Sequence, residues 1–134
     1  MWEHWNSLKE DGSFWSTDMN SFNHYAYGAV GDWLYGVLAG IQVDRNGGAG
    51  YRKIRIEPHP CSELIFVNCS IDTVCGRIES NWYESDGLMH FEVIVPNGSV
   101  ATVCLPDGTE RKVYGGSYRF AVPLKDKSVG ENNR

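Results

Sequence analysis

The sequence predicts a mainly β fold in which one long amphipathic α-helix precedes an antiparallel β-sandwich. Two observations carry this prediction. Apolar residues recur with the helical period through residues 22–41, and from residue 51 onward the period falls to two. Between the two patterns lies the glycine-rich stretch 44–50, which breaks the helix and marks a boundary.

The predicted helix covers residues 22–40 and keeps its apolar period for about five turns. Asn20 or Ser21 can accept the first free backbone N–H groups as an N-cap. An interior glycine weakens a helix by about 1 kcal/mol relative to alanine. Four glycines lie within or at the end of the pattern: Gly28, Gly31, Gly36 and Gly40. We therefore expect another element to pack very close to this helix.

Short segments with the period of a β-strand follow, at a spacing of about ten residues and without helices between them. Segment 63–71 is more continuously apolar than the others, which favours a buried strand. Turn dipeptides such as Asp86-Gly87 and Asn97-Gly98 separate several of them. This spacing predicts an antiparallel sandwich. The segments are 52–58, 63–71, 76–85, 88–96, 99–106, 111–116 and 117–123.

Composition excludes several function classes. The net charge of −5 and the absence of a basic cluster exclude a nucleic-acid interface. No apolar run reaches the roughly 18 residues that a membrane span needs, and the start lacks the layout of a signal peptide. The location of the whole protein, cytoplasmic or periplasmic, stays open.

The four cysteines show no metal-ligand spacing, so we expect reduced core thiols, no metal and no cofactor.

The start of the chain, MWEHW, places Glu3 between two tryptophans. Chain ends are usually polar and frayed, so large aromatics make little sense on a loose end. Either these rings pack under a later part of the chain, or the segment belongs to a larger protein and lies close to a site.

Two stretches carry a resemblance to a known family. WE-x-W, followed about twenty residues later by MNSFNHYAYGAVGDWLY, resembles the end of the catalytic domain of bacterial α-L-rhamnosidases, glycoside hydrolase family 78. YRKIRIEPHP, TVCGRIESNW and VIVPNGSVATVCLP resemble the C-terminal β-sandwich of the same family. The resemblance covers nearly the whole chain.

This resemblance implies a domain organisation. Residues 1–43 would be the C-terminal end of an (α/α)6-barrel catalytic domain, and the helix a remnant of that barrel. Residues 44–124 would be the C-terminal β-sandwich domain, and residues 125–134 a flexible tail.

The resemblance also implies a reaction, the inverting release of terminal α-L-rhamnose from glycosides. Glu3 matches the general base that activates water, and His24 matches a histidine of the sugar pocket. Trp5 either lines that pocket or belongs to the core.

Inversion needs a second carboxyl group as general acid. In the family that acid lies upstream, and the carboxylates Asp11, Asp18 and Asp32 match no acid motif. We therefore expect a C-terminal fragment that is inactive alone.

Two other function classes remain open for the β-rich part. It could be a sugar-binding accessory module, with Trp82 and Tyr83 as candidates, or a purely structural support for the barrel. Alternation places Trp82 on the same strand face as Ile78, which favours the core. The apolar stripe of the helix would be exposed without its barrel neighbours, so we also expect association into a homo-oligomer.

Overall fold

A computed structural model describes residues 2–18, 20–47 and 49–124, with Tyr27 described by its backbone alone. Met1 and the predicted tail 125–134 lie outside the described residues. The chain divides into two compact units, Met1–Leu34 and Tyr35–Arg134.

The helical part is shorter and more broken than the sequence predicts. It consists of helix α1 (Tyr25–Gly28), helix α2 (Val30–Trp33) and a π-helical turn (Leu34–Leu38). The continuous helix predicted over 22–40 is therefore wrong at both ends. The helical path ends at Gly40, whose φ angle of +74° lies in the left-handed region. At the far end, Ile41 leaves the helical path and becomes buried in the sheet.

The predicted N-cap is also wrong. His24 occupies the N-cap of α1 with an extended backbone and no capping side-chain hydrogen bond. The polar groups of Asn20 and Ser21 are used instead to hold the first residues of the chain.

Unit Tyr35–Arg134 contains one six-stranded sheet in the order β1-β2-β5-β4-β3, with β6 paired to β5. Its strands are β1 (Ile41–Val43), β2 (Lys53–Ile56), β3 (Phe66–Thr73), β4 (Gly76–Ser85), β5 (Leu88–Cys104) and β6 (Glu110–Pro123). The mainly β prediction is confirmed, but the sheet is mixed because β2 and β5 run parallel. The predicted all-antiparallel arrangement is therefore wrong.

The long strands β5 and β6 explain the difference. The sequence predicts four segments here, interrupted at Asn97-Gly98 and after Gly116. The chain instead runs through both places in the same direction, with only a register irregularity between Val95 and Val100. The first part of β5 pairs with β4 and its last part with β2, while β6 follows both parts. The sheet therefore curls around one core.

That core is a single apolar cluster of alternate residues from the strands. Trp82, Phe91 and Ile56 are among its fully buried members. The Trp82 indole N–H donates to the carbonyl of Leu38 at 2.9 Å, and the Ser80 hydroxyl donates to the carbonyl of Ala39 at 2.6 Å. These bonds tie the segment before β1 to strand β4.

Strand β3 differs from its prediction as a buried strand. It forms an edge of the sheet, and the Ile65 and Phe66 side chains at its start are 70% and 57% exposed. An apolar run identifies a strand, but it does not determine whether the strand is central or at an edge.

The four cysteines are free. Only Cys104 is buried, and this burial raises the pKa of its thiol to about 11. Among the described residues, no helix is both long enough and apolar enough to cross a membrane.

Candidate functional site

Glu3 is held in place by a residue that follows it 18 positions later. The backbone N–H of Glu3 donates to the carbonyl of Ser21 at 2.7 Å. In return, the backbone N–H of Ser21 donates to Oε2 of Glu3 at 3.0 Å. Both the backbone and the carboxylate of Glu3 are therefore fixed by one neighbour.

A second group of hydrogen bonds fixes the turn that follows Glu3. The hydroxyl of Ser7 donates to the carbonyl of His4 at 2.8 Å. The amide of Asn20 donates to the carbonyl of Ser7 at 3.1 Å, and so does the backbone N–H of Trp15. Ser7 is buried, and these partly buried bonds keep residues 3–7 beside residues 20–21.

Sequence reasoning missed this supporting role of Ser7, Asn20 and Ser21. Their residue types favour local side-chain to backbone bonds, which is why Asn20 and Ser21 resemble helix caps. The partners that they use are 13 and 18 residues away, and no local pattern indicates such pairs.

We call the reciprocal pair of hydrogen bonds between Glu3 and Ser21 the clasp. Several aromatic rings pack against one another near it. Trp2 meets Phe22 edge to face with ring centroids 5.0 Å apart, and Phe14 lies 5.8 Å from the same ring. His4 packs against Trp15 at 5.6 Å. The Glu3 side chain itself is only 19% exposed.

His24 lies beside Glu3. Its Nδ1 atom is 3.9 Å from Oε2 of Glu3, and its side chain is 32% exposed. This distance is too long for a hydrogen bond but suits a charge interaction when the imidazole is protonated. The structure therefore brings together two of the three predicted site residues.

Trp5, the third, is fully exposed. Trp5 therefore belongs to no core formed by the described residues. Its indole is fully accessible to solvent and could contact a ligand.

The other carboxylates of this unit are not arranged as proton donors. Asp11 accepts hydrogen bonds from the hydroxyl and the backbone N–H of Ser13 at 2.6 and 2.9 Å. These bonds hold the pKa of the Asp11 carboxyl below its usual value, which favours the ionised form. Asp18 and Asp32 are exposed. No group of three or more potential metal ligands is found among the residues that the structure describes.

The two oxygens of Glu3 have different surroundings. Oε2 accepts the Ser21 N–H and faces His24. Oε1 accepts no hydrogen bond from any described residue, so it can accept a proton from a water molecule. A carboxylate that is held through one oxygen and largely shielded from solvent is suited to general-base chemistry.

Two family models match the chain, and together they cover most of it. The bacterial α-L-rhamnosidase C-terminal domain matches residues 40–120. The bacterial α-L-rhamnosidase 6 hairpin glycosidase domain matches residues 1–38, the part that contains Glu3 and His24.

Individual relatives agree with these models. An α-L-rhamnosidase of Streptomyces avermitilis is 40% identical over 106 residues, which are 79% of this chain and 10% of the relative. An α-L-rhamnosidase of Formosa agariphila is 37% identical over 106 residues, 79% of this chain and 11% of the relative. The chain thus spans about a tenth of the length of these relatives.

Solved structures show the same likeness. The S. avermitilis α-L-rhamnosidase, crystallised with L-rhamnose, superposes with a TM-score of 0.72 and 35% identity, over 91% of this chain and 13% of that one. The native enzyme from Aspergillus terreus gives a TM-score of 0.73 and 34% identity, over 91% and 14%.

Proposed function

Because the chain belongs to the bacterial α-L-rhamnosidase family, we propose that it is the C-terminal part of an enzyme that releases terminal α-L-rhamnose from glycosides with inversion. The observation that carries the proposal is the clasped carboxylate of Glu3 with His24 at 3.9 Å. The match of residues 1–38 to a glycosidase domain supports it.

We propose Glu3 as the general base. Its Oε2 atom is engaged by the Ser21 N–H, so Oε1 would accept the proton as a water molecule attacks the anomeric carbon. Fixing one oxygen orients the other, which reduces the cost of aligning the water in the transition state. The aromatic rings around the clasp would exclude bulk water from the base.

We propose that His24 and Trp5 contact the sugar. His24 is adjacent to the base and partly exposed, so its ring can donate to or accept from a sugar hydroxyl. The exposed indole of Trp5 offers a flat apolar face for the C–H groups of a sugar ring.

The general acid would come from the rest of the enzyme. In an inverting glycosidase the two carboxyl groups stand roughly 6.5–9.5 Å apart, which leaves room for the water. Asp11 is an exposed carboxyl with a lowered pKa and lacks the character of an acid. We therefore propose that the residues before β1 complete an (α/α)6 catalytic domain and that the chain alone is inactive. Because β1 pairs with β2, the separate β-rich domain would begin by Ile41, not at residue 44 as the sequence predicts.

A second candidate function, structural support of the barrel, applies to the β-rich domain. The complete burial of Trp82 favours this function over sugar stacking at that residue. Tyr83, the other candidate, is partly exposed.

The test is Glu3→Gln in the full-length enzyme with p-nitrophenyl α-L-rhamnoside as substrate. The variant keeps the shape of the side chain but removes the proton acceptor, so kcat should fall by about 10²–10⁴-fold while KM changes much less. Glu10→Gln, an exposed carboxylate of the same loop, is the matched control and should leave both constants unchanged. Normal turnover in Glu3→Gln would remove Glu3 from the mechanism.

A further inference from the structure

The outer face of the sheet carries a polar groove, and we propose that it binds a neutral pyranose sugar. This outer groove has a volume of about 380 Å³, and its polar lining includes Glu79, Asn81, Glu92, Ser117 and Arg119. Its volume lies within the range of small-molecule sites. None of these residues belongs to unit Met1–Leu34, which contains Glu3 and His24.

Strand register brings the polar side chains together. Asn81 on β4 pairs with Glu92 on β5, which pairs in turn with Arg119 on β6. Directly opposed residues project from the same face about 5 Å apart, so this row forms a continuous polar floor. Glu79 and Ser117 lie two residues further along their strands and face the same side.

The row has both hydrogen-bond donors and hydrogen-bond acceptors. Arg119 Nε lies 3.1 Å from a carboxylate oxygen of Glu92. Oδ1 of Asn81 accepts the backbone N–H of Cys69 at 3.0 Å, which fixes the amide and leaves its NH₂ group to donate. Neighbouring hydroxyls of a sugar are both donors and acceptors, so they match a carboxylate flanked by an amide and a guanidinium.

An aromatic row lies beside the groove, outside the residues that line it. Tyr83 and His90 occupy the next opposed positions on β4 and β5, and their rings stack with centroids 4.9 Å apart and planes 12° apart. Phe66 on β3 is opposite Tyr83 and is largely exposed. Two residues along a strand span about 7 Å, so one sugar ring or a disaccharide can contact both the polar and the aromatic row.

The charge of the groove selects against other ligand classes. Two carboxylates, Glu79 and Glu92, stand against one guanidinium, Arg119, so a phosphate or another anion would be repelled. The carboxylate nearest the centre of the row is already paired with Arg119, which disfavours a cation. A neutral polyol with an apolar ring face fits both rows. The inference that this groove binds a sugar depends only on its own side chains. Only the choice of L-rhamnose as a probe rests on the proposed function.

The experiment is a titration of the ¹⁵N-labelled 134-residue chain with L-rhamnose, D-mannose and D-glucose, followed by ¹H–¹⁵N correlation spectra up to tens of millimolar sugar. We expect saturable shifts with at least one sugar, confined to amides near residues 79–83, 90–94 and 117–121. Glu92→Gln and Tyr83→Ala should each weaken binding by about tenfold, since one loses a charged acceptor and the other a stacking surface.

Two control variants test whether the loss of binding is specific to the residues proposed to bind the sugar. Glu84→Gln changes an exposed carboxylate of the same strand that does not line the groove. Tyr114→Ala removes an exposed ring and keeps the two hydrogen bonds to the Tyr118 hydroxyl, which on the Tyr114 side involve only the backbone N–H and carbonyl. Both should bind like the unchanged chain.

Absence of saturable shifts with all three sugars would overturn the proposal that the groove binds a sugar. Full affinity in both Glu92→Gln and Tyr83→Ala would overturn it as well. Shifts confined to residues 2–24 would also overturn sugar binding in the groove, but they would support a sugar site at Glu3. Conversely, a failure of Glu3→Gln to reduce hydrolysis would leave these shifts unaffected, so the two proposals fail separately.

Discussion

The two units of the chain differ in whether their apolar side chains are buried or exposed. Every buried apolar side chain among the described residues lies between Leu38 and Val122. In residues 2–34 the described part contains one buried residue, Ser7, while large apolar side chains are exposed: Trp2, Trp5, Phe14, Trp15, Tyr25, Val30 and Trp33. The β-rich unit therefore has a core, whereas the unit with the candidate catalytic residues is held mainly by hydrogen bonds.

This difference indicates where each part obtains its stability. Burial of apolar side chains is the dominant favourable term in folding, and the β-rich unit supplies it internally. The unit with Glu3 would obtain it from the rest of the proposed enzyme. The following predictions test this contrast, beginning with the largest expected effect.

The largest effect concerns activity. We expect the 134-residue chain alone to hydrolyse no p-nitrophenyl α-L-rhamnoside, because in the proposed function the general acid and the walls that position the sugar belong to the rest of the enzyme. Release of p-nitrophenol from concentrated chain is the measurement. Turnover that survives repeated purification and disappears in Glu3→Gln would mean that this unit builds a complete site without further domains.

Next in size are the tryptophan substitutions, which compare the two units directly. Trp82→Ala removes a fully buried ring and leaves the Leu38 carbonyl without its donor. The free energy of unfolding should fall by about 3–5 kcal/mol. Trp5→Ala removes a fully exposed ring and should change the free energy of unfolding by less than about 0.5 kcal/mol.

Urea denaturation followed by far-UV circular dichroism measures both tryptophan variants without depending on tryptophan fluorescence. Trp82→Phe keeps most of the volume and separates the loss of packing from the loss of the hydrogen bond. Equal destabilisation by Trp82→Ala and Trp5→Ala would refute the contrast between the units.

The glycines of the helical part make a third comparison. Gly40 has a φ angle of +74°, and an added Cβ would lie 2.1 Å from the backbone carbon of Glu57. Gly40→Ala should therefore cost about 3 kcal/mol in unfolding free energy, from the left-handed backbone and the clash together. Nothing described lies within 4 Å of a Cβ added at Gly31, so Gly31→Ala should leave stability unchanged or improve it.

The same pair of variants tests the proposed domain organisation. In the full-length enzyme, a barrel helix packed against the glycine face would make Gly31→Ala destabilising as well. Thermal unfolding of both forms provides the measurement. A Gly31→Ala substitution that is harmless in the full-length enzyme would count against close packing on this face.

The sequence was sufficient for the parts of the fold that depend on local periodicity. Period-two alternation located the strands, and turn dipeptides such as Asp86-Gly87 located a hairpin. It failed where tertiary contacts decide. Ile41 continues the helical pattern but is buried in the sheet. Strand β2 pairs in parallel with β5, where Lys53 is opposite Val100, 47 residues later in the chain. Such pairings depend on the whole core.

The candidate site shows the same division. The motif resemblance selected Glu3 and His24, which the structure places 3.9 Å apart. It could not select Ser21 as the partner of the Glu3 carboxylate, because the donor is a backbone N–H and any residue type except proline could supply it.

The smallest expected effect is association of the chain with itself. Exposed aromatic and aliphatic side chains on residues 2–34, including Trp15, Val30 and Trp33, exceed what is usual for a soluble monomer. We expect the mass from light scattering to rise with concentration towards twice that of one chain. Trp33→Glu should reduce this rise, because a charge would have to be buried at the contact. Tyr114→Glu places the same charge at an exposed site of the β-rich unit and should have no effect. A concentration-independent monomer, or equal effects of both variants, would show that these exposed side chains do not drive self-association.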